Sequence, residues 1–366
     1  MKIKFILLTV LFSSQLLAGE FLYQFSAGEP ARASEVNANF IELVTSIHRL
    51  ETRINDLQSL VNSQATMITN LQNNTVLQLD GYLSLDTSGD YDAAVFTAVN
   101  LQVVNGTGNT VASGGEGLGN IIVGYNERAS HDEYCSHGAY TDQVSCEIQG
   151  YTWASIQRTG YHNIVTGRGN DYTQFSGVIF GEANIINGAF ASVLGGQINM
   201  ASGFYSSVTA GLNNIASGPY SSVTGGEENE SSWYYTSITG GKGNETTGEY
   251  SSISGGENNT ASDVGASILG GYLSKALGAW TSVVGGERNE ASGRFATIVG
   301  GRLNITSELS SSILGGRGNE TTNEYSTVSG GRDNTASGLQ STVSGGFNRT
   351  ASGTDDWVAG GLSENN

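Results

Sequence analysis

The chain has 366 residues, a formal net charge of −18, 52 glycines, two prolines and two cysteines. So acidic a surface repels phosphate backbones and anionic membrane patches, which excludes nucleic acid and lipid headgroups as primary partners. Glycine at this density also excludes a helical domain over the second half of the chain.

Residues 1–18 read as a secretory signal, with Lys2 and Lys4, an apolar run from Phe5 to Phe12, and Leu17-Ala18 before Gly19. The run is too short to span a bilayer, and no later segment approaches about twenty apolar residues, so no transmembrane segment is expected in the mature chain. Loss of Lys2 and Lys4 takes the charge from −18 to −20. No cysteine stands at the cleavage point, so a lipoprotein is not expected. The mature protein is expected to be exported, whether periplasmic, at the cell surface or secreted.

After an N-terminal segment, 19–33, residues 34–74 predict a coiled-coil stalk. Phe40, Ile47, Ile54, Val61 and Ile68 take one core position of a heptad, and Leu43, Leu50, Leu57, Gln64 and Leu71 the other. Gln64 is the polar core residue that would fix register. Ile at one position with Leu at the other favours, taken alone, a two-stranded parallel coil.

Residues 75–126 switch to period two and predict a β transition. Leu77, Leu79, Leu83 and Leu85 alternate with Gln78, Asp80, Ser84 and Asp86, while Val95, Val99, Leu101 and Val103 predict further strands. The stretches 120–126 and 163–170 read as early, irregular turns of the repeat that follows. Between them, 127–162 is an insertion holding Cys135 and Cys146, eleven positions apart. In an exported chain that spacing predicts one disulfide closing a small loop. The aromatic residues Tyr134, Tyr140, Tyr151, Trp153 and Tyr161 crowd the same segment. Insertions in solenoids sit outside the coil and often bind, so Tyr134, Tyr140, Tyr151 and Trp153 are candidate ligand-binding residues, against the plainer reading of a stapled surface loop.

Residues 163–366 are a repeat. Eleven Gly-Gly pairs fall on a fixed period of fifteen residues from 195 to 360, with Ala210-Gly211 filling the one gap. Three residues before the second glycine stands a β-branched residue in all twelve turns, from Val193 to Val358, with Val178 extending the column backwards. Such residues suit a pleated, half-buried strand. Ser or Thr precedes that column in every turn but the last, where Trp357 stands. Three residues after the second glycine comes Asn, broken only by Ser274, Arg349 and Glu364. Asn accepts left-handed backbone and bonds its own chain, so a ladder of Asn at a corner is expected. The fold class is therefore an all-β solenoid of fifteen-residue coils with a terminal cap, preceded by a coiled-coil helix. Each coil offers only two or three apolar side chains, so burial of a second face against sister chains is expected.

An aromatic column comprises Phe190, Tyr205, Tyr220, Tyr235, Tyr250, Trp280, Phe295 and Tyr325. Tyr and Trp combine apolar area with a polar handle, so Tyr205, Tyr220, Tyr235 and Tyr250 are candidates for stacking on sugar faces. The alternative is that these rings pack in the coil or between chains. Asp355, Asp356 and Trp357 set the last coil apart. Charge at an open edge stops strand-on-strand growth, and Trp357 is also a candidate contact at an apical tip. No catalytic residues, metal site or cofactor are expected. His131-x-Glu133-x-Cys135-x-His137 has a superficial metal spacing, but a paired Cys135 is lost as a ligand. Residues 315–320 lack the nine-residue calcium period, and Gly-x-Gly strings here open no helix.

The repeat Ser-Ser-Val-Thr-Gly-Gly-x-x-Asn-x-Ala-Ser-Gly, one copy of which opens at Ser221–Gly226, resembles the heads of YadA-like trimeric adhesins. The likeness covers 164–361 well and 105–126 loosely. It implies a left-handed β-roll in which three chains pack side by side, continued by a trimeric coiled coil; on this point the repeat overrules the dimer preference of the heptad. Membrane-anchored members end in a C-terminal β-barrel; the repeat here runs on to Gly361-Leu-Ser-Glu-Asn-Asn366, so an anchor of that kind is not expected from these residues. The stalk-first order and the motif Ala33-Ser-Glu-Val-Asn-Ala-Asn-Phe40 are similar to mosaic adhesive trimer fibres of predatory bacteria. The resemblance implies a homotrimer that binds a cell-surface glycan or envelope protein. Two rivals stand beside it. Columns such as Ser207/Thr209, Ser222/Thr224 and Ser237/Thr239 would suit an ice-binding solenoid, and the roll would also serve as a purely structural spacer.

Overall fold

The computed structural model describes residues 23, 24, 26–73, 79, 81–89, 91–111, 117–127, 133–138, 140–360 and 362–364. The expected signal at 1–18, and Leu77, Gln78, Asp80 and His131, lie outside the described residues. The chain divides into two units, 1–101 and 102–366.

In the first unit, Ala33–Gln72 form helix α1, 40 residues and about 60 Å long. No side chain caps its start at Arg32. Instead Asn39 Nδ2 donates to the Tyr23 carbonyl at 2.8 Å while Tyr23 N donates to Asn39 Oδ1 at 3.0 Å, which pins the preceding segment to the helix. The apolar heptad residues Phe40, Leu43, Ile47, Leu50, Ile54, Leu57, Val61, Ile68 and Leu71 are 45–62% exposed. Among the described residues of the single chain nothing covers that seam. Strands β1 (Leu83–Asp86) and β2 (Ala93–Phe96) then pair as an antiparallel hairpin. Val99, Leu101 and Val103 form no strand, because Ala98 takes a positive φ of 57° and breaks the extended backbone.

The second unit is a parallel β-solenoid. Strand β3 (Ile121–Val123) pairs in parallel with β6 (Ile164–Arg168) and so bypasses the insertion. The insertion forms its own small fold of β4 (Tyr134–Cys135), α2 (Gln143–Ile148) and β5 (Trp153–Ala154). After β7 (Asp171–Tyr172) and β8 (Val178–Glu182), each coil contributes two short strands, such as Ser192–Val193 and Met200–Ala201. Stacking generates one sheet of sixteen strands and one of thirteen. The thirteen strands are all parallel, whereas the larger sheet closes on Leu362–Glu364, antiparallel to Trp357–Ala359.

The core follows from pleat alternation. In the larger sheet the β-branched column from Val193 to Val358 points inward, and its members up to Val343 are essentially inaccessible. Facing it from the smaller sheet is a second buried column of small residues: Ala201, Ala216, Ser231, Thr246, Ala261, Ala276, Ala291, Thr306, Thr321, Ala336 and Ala351. The core is thus one aliphatic side chain against one small one per coil.

Two expectations need correction. Val193 pairs with Ile179, and Val178 faces outward opposite Ser192. The coil from Asn170 to Asn184 is fourteen residues long, one short of the later period, so counting back by fifteen lands one residue off and on the wrong face. The Asn column also works differently from its expected role. The left-handed residue is the one before it, at Ile198, Leu273, Arg288 and Leu303, for example, with φ of 52–58°. Asn itself turns inward. Asn199 Nδ2 donates to the carbonyls of Gly195 (3.2 Å) and Gly211 (2.9 Å), and its Oδ1 accepts from Asn214 N at 3.0 Å. The second glycine meets a steric demand as well as a conformational one, since a Cβ at Gly196 would sit 2.2 Å from the Gly211 carbonyl oxygen.

Candidate binding surface

The aromatic column lies at the turn between the second strand of one coil and the first of the next. Every member takes left-handed backbone, with φ of 57–60° from Phe190 to Tyr325. That conformation carries the ring out of the coil, and Tyr205, Tyr220, Tyr235 and Tyr250 are 45–53% exposed. Packing inside the coil is therefore not their role. Because consecutive coils stack in register, the rings stack too. Centroids are 4.7 Å apart for Phe190–Tyr205, 5.4 Å for Tyr205–Tyr220, 5.0 Å for Tyr220–Tyr235 and 5.2 Å for Tyr235–Tyr250, with interplanar angles of 7–17°. Phe175 and Tyr161 continue the series towards the insertion.

This geometry changes what the rings offer. Neighbours occupy the faces within the stack, so a ligand meets ring edges and a row of phenolic hydroxyls, one per coil. Beside Tyr250, Glu249 raises the phenol pKa from its ordinary value, chiefly through its charge, so that hydroxyl keeps its proton as a donor. At Gly265 the column has no ring of its own. A Cβ there would lie 2.3 Å from Trp280 Cε3, so the glycine lets Trp280 lean across the vacant rung. Phe204, Trp233 and Tyr234 widen the ridge with edge-on or tilted contacts to it or to each other. Sequence reasoning missed these three because Phe204 and Tyr234 share a column on which the intervening residue is Pro219, and Trp233 stands one position off it.

The insertion is tied down at several points. Cys135 and Cys146 are joined by a disulfide. Tyr134 is buried; its hydroxyl donates to Asp171 Oδ2 at 3.2 Å, and burial followed by the Asp171 charge raises its pKa far above the ordinary phenol value. Arg158 Nε contacts the other Asp171 oxygen at 3.3 Å, and Asn187 Nδ2 donates to the Cys135 carbonyl at 3.0 Å. Tyr134 therefore belongs to the anchor and presents nothing outward. Tyr140 and Tyr151 gather instead around His137, with centroids 5.4 and 4.6 Å from it. Burial lowers the His137 pKa, which favours the neutral imidazole. Trp153 pairs with Cys135 across the β4–β5 ladder and is partly exposed. Trp357 stands in the last coil, where its indole Nε1 donates to Ser344 Oγ at 2.8 Å.

The sequence matches no protein-family model and has no significant similarity to a curated protein.

Proposed function

We propose that the chain is the exported subunit of a homotrimeric, non-catalytic fibre whose left-handed β-roll presents a binding surface for a polysaccharide or protein of a cell envelope. The exposed heptad seam of α1 supports self-association, since nine apolar side chains in water along one stripe are a coiled-coil interface awaiting its partners. On the larger sheet, Leu194, Leu269, Val299 and Leu314 stand exposed where other coils carry Thr or Ser, which adds a second apolar face.

The aromatic ridge is the observation that carries the binding reading. A non-glycine residue in left-handed backbone costs about 1–2 kcal/mol. Ring stacking returns about 0.5–1.5 kcal/mol, so the ridge contributes little net stability. Left-handed backbone recurs at both turns of the coil, at Leu303 and Ser310 as well as at the tyrosines, so the strain belongs to the scaffold; what sets this column apart is a stack of rings held half in water, which a scaffold does not need.

Replacing Tyr220 and Tyr235 together by Ser tests this. Binding of the mature chain to isolated cell-envelope material is expected to weaken at least about tenfold, with the melting transition shifted by only a few degrees. Unchanged binding would leave the structural spacer in its place. The hydroxyl columns favour an ice surface less well. The outer one is unbroken only through Thr209, Thr224, Thr239 and Ser254 before Leu269 interrupts it. Thermal hysteresis by the purified chain would reverse that ranking.

A further inference from the structure

The residue just after each Gly-Gly pair forms an exposed column at the corner of the coil, bridged in register from Gln197 to Phe347. In its first half the charges alternate in sign: Glu227, Lys242 and Glu257. Lys242 Nζ lies 2.9 Å from Glu227 Oε1, so each charge finds its opposite one coil away. In its second half the column places Arg302, Arg317 and Arg332 on three consecutive coils, paired directly with one another. At the strand spacing, about 4.8 Å, like charges directly opposite are destabilising. A chain with a strong acidic excess has concentrated arginine at the one column where it repels itself.

The neutralising acids are few. Glu287 reaches Arg302 Nε at 3.4 Å, and Asp333 reaches Arg332 Nε at 3.5 Å. Arg317, between them, has no carboxylate within ion-pairing distance among the described residues, although Glu320 lies three positions on. Arg332 is held in place by Phe347, whose ring centroid lies 4.1 Å from its guanidinium carbon. Guanidinium groups present a rigid fork matched to carboxylate or phosphate, and all three are exposed to receive one.

We infer that Arg302, Arg317 and Arg332 form a binding ladder for an acidic polysaccharide, one carrying carboxylate or phosphate groups along its chain. The inference deepens the polysaccharide reading and rests on it. A polymer with anions at regular intervals relieves the repulsion coil by coil, which a single small anion does not. The acidic remainder of the roll repels any polyanion that overruns the ladder and so confines it to this corner.

The test immobilises polygalacturonate and, separately, neutral dextran, and measures binding of the full mature chain to each. Polygalacturonate is expected to hold the wild type, and binding is expected to fall steeply with salt. The triple variant Arg302→Gln, Arg317→Gln, Arg332→Gln is expected to lose at least about tenfold in affinity, and Lys242→Gln almost none. The substitutions remove the mutual repulsion together with two exposed ion pairs and the Phe347 contact, effects that are small and of opposite sign, so the triple variant should melt within a few degrees of the wild type, which separates lost binding from lost folding. No binding to polygalacturonate, equal binding by the triple variant, or stronger binding to single-stranded DNA would each overturn the assignment. The Tyr220→Ser, Tyr235→Ser variant runs in parallel on envelope material. If it binds there like the wild type, the broader reading fails, whatever the arginines do.

Discussion

Asn304 shows how much each coil depends on one buried side chain. Its Nδ2 donates to the carbonyls of Gly300 (2.9 Å) and Gly316 (3.2 Å), and its Oδ1 accepts from Asn319 N at 3.0 Å. Asn304→Ala leaves those buried groups unpaired and is expected to cost about 2–4 kcal/mol in chemical denaturation. Ser274, which interrupts the column, gives the converse prediction. Its hydroxyl reaches only Tyr272 O, at 3.5 Å, so Ser274→Asn should stabilise the roll by about 1 kcal/mol. The Asn column was legible as a ladder, but its mechanism was not. The period marks which residue repeats, whereas the sign of φ belongs to the residue before it. Glu230 carries a pH prediction. Desolvation first, then neighbouring Glu245, raises its pKa above the ordinary 4.5. Its folded-state pKa therefore exceeds its unfolded one, so its contribution is most favourable below pH 4.5 and is lost as pH rises through the raised value. Denaturation at pH 4 and pH 7 should show a smaller drop for Glu230→Gln than for the wild type.

At the scale of elements, the insertion is the part whose folding the sequence described least. Its disulfide follows from two cysteines in an exported chain, but no period marks where its side chains point. Tyr134 and Tyr140 look equivalent by composition; one is buried against Asp171 and the other, half-buried, leans on His137. The anchor yields a prediction. Asp171 is 1% exposed at its side chain, and Arg158→Ala leaves its carboxylate without that cation. A loss of about 3–5 kcal/mol is expected in thermal or chemical melts, with Arg158→Lys recovering part of it. A loss under about 1 kcal/mol would mean that the insertion is held elsewhere. The first coils were misread for a related reason. A fourteen-residue coil shifts the inward residue from Val178 to Ile179, and two-residue strands offer no longer alternation from which to detect the slip.

For the whole molecule, a fifteen-residue period was enough to give parallel strands, because stacking identical coils in register repeats every contact. Function was less legible. The aromatic column could be read from spacing alone, yet only stacked rings show that faces are consumed and edges and hydroxyls remain. The arginine column has the same fifteen-residue signature, but a residue gains meaning there only once its neighbours on the corner are known. The proposed assembly would serve a thin core, a heptad seam that no described residue covers and exposed aliphatic residues on a sheet face alike. The most direct measurement is the mass in solution of the mature chain, residues 19–366, by light scattering on a sizing column. A homotrimeric fibre gives three chain masses in a particle that elutes early for its mass. A compact particle of one chain mass would contradict it.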